Sequence, residues 1–459
     1  MLQEEGSVAM KARSSTQSLA KKCSSPTHFA SPAAIREHQS LIVFSTLGTF
    51  GDVLPFILLG RHLRQRGHRI VFLANSNHEK FVRSHNFEFI AICDAEDPSS
   101  GVDPDTFMVR EAIPAFRRTV EEIGVLAAEF SNIMIVNRAG NWGGIFASEL
   151  YQLPHISVML QPGAVSPGGQ PISRRIFSAT NDFRRAIGLP LLRKRRVVDR
   201  ARAFISLFPD WFGFPESGLA EAGSCVGFPF APEPPATLPP AVQALVSERG
   251  RLVVFTAGTN MPGTNFFELA GQFSARTGLP VVALGHEGET RKVAGVLASS
   301  FVDHASLFRF ARVVVHNGGI GVTAQAMRAG VPQIVVPYVW DQPHNAKRVE
   351  ELGIGRTILP ADLSCERVIE VYGQIEALKR KPREDAARAV RRADAITEAS
   401  ELIERHTELR IDLGTPDDAL LDVTWRTPGI SAQCIIGHTS PTVAAQVPDD
   451  DDHTVPAIS

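Results

Sequence analysis

Nowhere does the sequence hold an apolar run near the roughly 20 residues that a membrane-spanning helix needs, so no span is expected. Glu4 and Glu5 stand near its start with no apolar stretch behind them, and a secretory leader is not expected either. Cysteine is scarce. The five (Cys23, Cys93, Cys225, Cys365, Cys434) show no CxxC or other ligand spacing, which fits free thiols in a reducing compartment rather than a disulfide framework. No spacing of histidines and acids suggests a metal. A surplus of one charge is missing too: the net charge is −2, which leaves no global attraction for nucleic acid or an anionic membrane. A cytoplasmic protein without a nucleic-acid partner is the expectation.

What is present suits a globular α/β protein. The chain has 459 residues, 44% hydrophobic and 21% charged, enough for two domains of about 180–200 residues each. Residues 1–39, rich in Ser, Lys and Ala, and residues 413–459, with Asp449 to Asp452 and no sustained apolar period, are expected to be disordered. Between them a first domain is expected over 40–230 and a second over 251–412. A proline-rich linker over 231–250 (Pro232, Pro234, Pro235, Pro239, Pro240) should separate them.

Each half alternates short apolar runs with helical patterns. Leu41–Phe44, Ile70–Leu73, Phe89–Ala91, Ile133–Val136 and Ile156–Met159 read as strands of the first half. Leu252–Phe255, Val281–Leu284, Val313–Val315 and Ile334–Val336 read as strands of the second. A helix is expected from Pro55, whose fixed φ suits a first turn, to Gly67. A long charged helix over 384–409 is expected to close the second domain. Two Rossmann-like domains then face one another across a cleft, with ligands beyond the carboxyl ends of the strands.

The chemistry concentrates in the second half. The strand ending at Val315 runs into His316-Asn317-Gly318-Gly319-Ile320-Gly321-Val322-Thr323 and then into a helical stretch. Glycines at such a turn let backbone N–H groups approach an anion, and the helix N-terminus adds positive potential. A phosphate or diphosphate site is the direct reading, and a tight turn without a ligand is the alternative. The next strand ends in Pro337-Tyr338-Val339-Trp340-Asp341-Gln342, an acid beside an amide that can serve vicinal hydroxyls. In order and spacing this stretch resembles the C-terminal signature of family 1 glycosyltransferases of the GT-B fold. The nearest likeness is to the bacterial branch that holds rhamnosyltransferases and the macrolide, glycopeptide and sterol glycosyltransferases. Thr46 to Pro55, Leu160-Gln161-Pro162, Leu207 to Phe212, Gly227-Phe228-Pro229 and Val254 to Thr259 resemble further parts of that pattern, so the likeness spans roughly 40–405.

The resemblance implies roles. Phe301 and Val302 lie against the nucleotide base; Gly318, Gly321, Val322 and Thr323 hold the diphosphate, the last through its hydroxyl; Gln325 stands where many members carry a ribose-binding Glu. Asp341 and Gln342 bind the donor sugar, and Gly258 and Thr259 face the phosphates from the opposite loop. Asp52, in the first loop, is the implied general base toward the acceptor hydroxyl, with a helix cap as its alternative role. The activity implied is inverting and metal-independent. It moves a hexose or deoxyhexose from a UDP- or dTDP-linked sugar, a co-substrate rather than a cofactor, to a lipophilic acceptor. One departure stands out: the family's diphosphate-contacting His is here Asn317, with His316 just before it and able to compensate only by rotating inward. A non-catalytic or auxiliary GT-B subunit is the reading that Asn317 supports; a sugar-nucleotide epimerase on the same fold fits the motifs less well. The basic run 174–202 reads as a solvated helical face or as a contact for an anionic membrane or acceptor. His155 is expected at a strand edge.

Overall fold

In a computed structural model, the residues described are 40–94, 103–162, 171–213, 223–231, 238–256, 266–285, 290–293, 296–299 and 302–408. The all-apolar run at the head of the globular part forms strand β1 (Leu41–Ser45), buried along its whole length. A strand with no polar face must be covered on both sides. Its neighbours are β2 (Arg69–Asn75), β3 (Glu88–Cys93), β4 (Ile133–Arg138), β5 (His155–Met159), β6 (Ala203–Ser206) and β7 (Gly223–Cys225). These seven strands run parallel in the order β3-β2-β1-β4-β5-β6-β7. The second sheet holds β8 (Leu252–Thr256), β9 (Val281–Leu284), β10 (Arg291–Val293), β11 (Val296–Ser299), β12 (Ala311–His316), β13 (Gln333–Val335) and β14 (Gly355–Thr357). Its order is β10-β11-β9-β8-β12-β13-β14, parallel but for the edge strand β10.

Both orders reverse direction once, between β1 and β4 and between β8 and β12. Such reversals splay the connecting loops apart at the carboxyl ends of the strands and open a crevice there. The expected α/β class and the two-lobed arrangement are both present. The strands β6, β7, β10, β11 and β14 were not among those expected; each has only three or four residues, too few to show a period.

Six helices differ from expectation or carry the site. Helix α1 (Phe50–Gln65) begins five residues before Pro55, because Thr49 and Asp52 close a capping box that satisfies the first turn. The second half of the expected linker is itself a helix, α2 (Pro240–Arg249), started by Pro240 at a position where a missing N–H costs nothing. The helices α3 (Ile320–Ala329) and α4 (Gln342–Glu351) follow β12 and β13.

The charged segment expected as one long helix breaks into α5 (Arg380–Arg392) and α6 (Ala395–Glu408). Ala393 takes an extended conformation at ψ 132°, and Asp394 Oδ1 accepts from Thr397 N–H as the new helix starts. The break has a purpose in packing. Ala386, Ala387 and Val390 of α5 are buried on the second lobe's side, and α5 packs on α3. Ala395, Ala399 and Ile403 of α6 are buried in the first lobe's core with Phe44, Phe56 and Leu63. The chain therefore crosses back to the first sheet instead of closing the second. A further apolar cluster joins the lobes, with Phe208, Phe212 and Phe228 meeting Ala324, Met327 and Val390. Among the described residues no helix is long and apolar enough to cross a membrane.

Candidate active site

The loop after β12 is held from within. His316 is fully buried, and its Nδ1 accepts the Gly318 N–H at 3.0 Å. The ring proton is thus on Nε2, which donates to Gln333 Oε1 at 2.9 Å. Burial pushes the imidazole down to about 4, against the opposing pull of the Gln333 hydrogen bond, so the ring stays neutral near pH 7. His316 therefore cannot swing toward a ligand; it is a strut under the turn. Asn317 Oδ1 accepts the Gly319 N–H at 3.2 Å and shapes the same turn. Gly318 has φ +88°, and a Cβ there would lie 2.7 Å from Val335 Cγ1. No other residue fits.

Helix α3 then starts at Gly319 with no side-chain cap. Among the described residues, a Cβ at Gly321 would meet nothing within 4 Å, so none of them fills the space before the first turn. An uncapped helix end facing open space leaves N–H donors and positive potential for an anion. Thr323 differs from expectation. It is fully buried, and its hydroxyl donates to Gly319 O at 3.0 Å, closing its own helix rather than facing the opening. Val302 is also turned inward: it packs in the core with Leu307 and Phe308, which leaves only its main chain for a base. Gln325 Oε1 is buried with no hydrogen-bond partner among the described residues, an acceptor awaiting a donor. Gly258, Thr259 and Phe301 lie outside the described residues.

The loop after β13 is fastened to the first. Gln342 Oε1 accepts the N–H groups of Tyr338 (2.8 Å) and Val339 (3.1 Å), so this amide shapes the loop from inside. Between Val339 and Gln342, Trp340 adopts φ +58°, a left-handed conformation that few non-glycine residues take. Asn345, fully buried in α4, donates from Nδ2 to Gly318 O at 2.9 Å and to Asp341 Oδ2 at 2.7 Å. One amide thus ties the glycine turn to Asp341. Burial raises the Asp341 carboxyl above its usual range, and the Asp52 carboxylate adds to this; the Asn345 bond and the Arg138 charge pull the other way.

Asp52 and Arg138 come from the opposite lobe. Gly48 has φ +148°, and a Cβ there would sit 2.3 Å from Asp52 Oδ2, so the carboxylate lies directly over a glycine. Asp52 Oδ2 accepts from Thr49 N–H (2.8 Å) and Thr49 Oγ1 (3.1 Å), and Oδ1 accepts from Arg138 Nε at 2.7 Å. The cap role and the site position coincide: Thr49 is the N-cap and Asp52 its capping-box partner. Across the gap, Arg348 of α4 donates to Phe212 O (2.7 Å) and Trp211 O (2.6 Å) and pins one lobe to the other.

Arg138, Asn345 and Arg348 are functional candidates that the sequence pattern does not reveal. Each works through a partner more than 80 residues away or through a buried bridge, and neither leaves a periodic trace. His155 opens β5 buried, its ring bridging Ser148 Oγ and Asp199 Oδ1, each at 2.8 Å, and takes no part in the cleft described above.

Residues 278–409 match the family model of the erythromycin biosynthesis protein CIII-like C-terminal domain. Residues 42–136 match that of the glycosyltransferase family 28 N-terminal domain. The first match contains the loops of Gly318 and Asp341, and the second contains Asp52. The chain has the GT-B fold, and each half is similar to a glycosyltransferase family.

The chain is similar to the sterol 3-beta-glucosyltransferase of Eremothecium gossypii, 25% identical over 367 residues. That match covers 68% of this chain and 29% of the relative, so the chain spans under a third of the sterol enzyme's length. The O-mycaminosyltylonolide 6-deoxyallosyltransferase of Streptomyces fradiae is 26% identical over 374 residues, 70% of this chain and 85% of that one. The spinosyn rhamnosyltransferase solved with thymidine diphosphate shares the fold at a TM-score of 0.60 and 16% identity, covering 79% of this chain and 99% of the other.

Proposed function

We propose that this chain is an inverting transferase that moves a hexose or deoxyhexose from a UDP- or dTDP-linked donor to a hydroxyl of a lipophilic acceptor. The observation that carries this reading is the meeting of loops from opposite lobes. Asp341, tied to the glycine turn, lies within electrostatic reach of Asp52 and Arg138. Donor diphosphate would sit on the uncapped N-terminus of α3, with ribose hydroxyls donating to Gln325 Oε1 and sugar hydroxyls to Asp341. Two relatives carry nucleotide or acceptor classes in their names: thymidine diphosphate is bound in one, and a tylonolide is glycosylated by another.

The chemistry follows from these positions. The acceptor O–H proton passes to Asp52 Oδ1, whose second lone pair is open beside the Arg138 contact. The acceptor oxygen bonds to the anomeric carbon from the face opposite the diphosphate. As the bond to the diphosphate breaks, its negative charge develops against the α3 N-terminus, where prepositioned donors act most strongly. Four exposed apolar side chains flank the two carboxylates: Phe50 and Leu54 at the start of α1 near Asp52, Val339 and Trp340 beside Asp341. They suit a lipophilic acceptor. Residues 191–200 add exposed Leu191, Val198, Arg193, Lys194, Arg195 and Arg196, which we take as a contact for an anionic membrane. Co-sedimentation with phosphatidylglycerol vesicles should be lost in Arg193→Glu/Arg196→Glu, and no co-sedimentation of the unaltered protein refutes that contact.

The test is product mass spectrometry with mixed UDP- and dTDP-sugars and a panel of sterol, lipid and phenolic acceptors. Asp52→Asn is expected to lower kcat by about 10³-fold or more while nucleotide affinity stays within a few-fold. Turnover that survives assigns Asp52 to capping alone. The auxiliary reading, favoured by the neutral Asn317, wins if nucleotide binds and no acceptor is turned over. Calorimetry without nucleotide binding at millimolar concentration sinks both.

A further inference from the structure

Both covalent crossings between the lobes line one cavity, and it lies far from the chemistry. Its volume is about 550 Å³, within the range of small-ligand pockets. One wall is the first crossing, Phe228 to Ala231; another is the bend from Val390 to Thr397 where the chain returns to the first lobe. Gly227 is pressed into this junction, since a Cβ there would lie 2.7 Å from Ala393 Cβ. The remaining walls come from Leu58, Arg61 and His62 of α1 and from Arg328 of α3. Asp52 and Arg61 are nine residues apart on α1, about 13 Å along its axis. Gly319 and Arg328 are separated similarly on α3. The two helices thus present their N-termini to the active-site cleft and their later turns to this cavity.

Its lining is basic and apolar at once. Among the described lining residues, Arg61, Arg328, Arg391 and Arg392 stand against the single carboxylate of Asp394, and Asp394 already accepts the Thr397 N–H. Two of the four are held in place. Arg328 lies over the Phe230 ring at 4.6 Å, and its carbonyl accepts from Arg391 Nε at 2.8 Å. Arg61 and Arg392 have no carboxylate partner among the described residues. Four arginines against one acid repel one another, and a fold that maintains them beside Phe228, Leu58 and Ile396 suits an anion on an apolar stem.

We propose that this hinge cavity binds a phosphomonoester carried on an alkyl or similar apolar body. The phosphate meets Arg61 and Arg392, and the stem lies along Leu58, Phe228 and Ile396. The glycosyl-transfer site takes no part in this binding, so the proposal stands or falls independently of the activity.

Calorimetry on the full chain tests it with decyl phosphate, inorganic phosphate and decanol as probes. Decyl phosphate should bind at least about tenfold more tightly than inorganic phosphate or decanol. The variant Arg61→Ala/Arg392→Ala should weaken it by about tenfold or more with an unchanged circular dichroism spectrum. A Leu58→Ser variant, which leaves the charges, should weaken decyl phosphate but leave inorganic phosphate unaffected. Phosphatidic acid vesicles that compete with decyl phosphate assign the occupant to a membrane lipid; failure to compete assigns it to a free amphiphile. Absence of decyl phosphate binding, or equal affinity in the double-arginine variant, overturns the site.

Discussion

Asp341 carries a conflict between what burial favours and the sugar-binding role proposed for it. Burial and the facing Asp52 carboxylate both raise its pKa. A folded-state value above the unfolded one means that the ionised form costs stability, a cost relieved as pH falls through the folded value. Asp341→Asn should therefore raise Tm at neutral pH while lowering kcat/KM by about 10²-fold; thermal melts and donor kinetics on one preparation check both. His316 behaves in the opposite sense. Its folded value near 4 lies below the ordinary 6.5, as does that of His304, which is partly buried. The unfolded chain then binds more protons between those values. The stabilisation is complete above pH 6.5 and is lost as pH falls toward 4. Denaturant midpoints measured from pH 7 to 4.5 should fall, and less steeply in His316→Gln; equal slopes count against the buried neutral ring.

At the scale of elements, the site is two strand-to-helix turns sewn together by a helix side chain. Asn345 is the stitch, donating to Gly318 O and to Asp341 Oδ2. Asn345→Ala leaves a buried carbonyl unpaired, which costs about 1–3 kcal/mol, and releases Asp341. Donor KM should rise about tenfold or more, with acceptor KM little changed. Steady-state kinetics with each substrate varied separately will distinguish this from a general loss of stability, which lowers the active fraction without moving either KM.

For the whole molecule, function depends on two sheets held with their carboxyl ends facing. Arg348 makes the polar link, from α4 to the main chain of Trp211 and Phe212, and the Phe208–Phe212–Phe228 cluster makes the apolar one. Arg348→Ala removes these two hydrogen bonds from a charged group, each worth about 1.5–3 kcal/mol, together with an exposed ion pair to Glu351, without touching either half-site. Its kcat and KM should change together, as expected for a lobe-closure variant. If kcat alone falls, Arg348 acts on the reacting groups instead.

Much of this was legible in the chain itself. Buried parallel strands have no polar face, so Leu41–Phe44 and Val313–Val315 announce themselves as continuous apolar runs. Glycines such as Gly318 are marked because a turn against Val335 admits nothing larger. The positions of Asp52 and Asp341 follow from the same local logic of a strand ending in a loop. Tertiary structure alone decided the rest. Whether His316 faces ligand or core depends on Gln333, which another strand supplies. Thr323 turns to its own helix because the core closes around it. Arg138 becomes a partner of Asp52 only when β4 lies beside β1. The helix expected at 384–409 breaks because its two halves bury their apolar faces in different lobes. Local pattern reports what one segment can bury; which surface receives it, and which charges then meet, is settled only when distant segments pack.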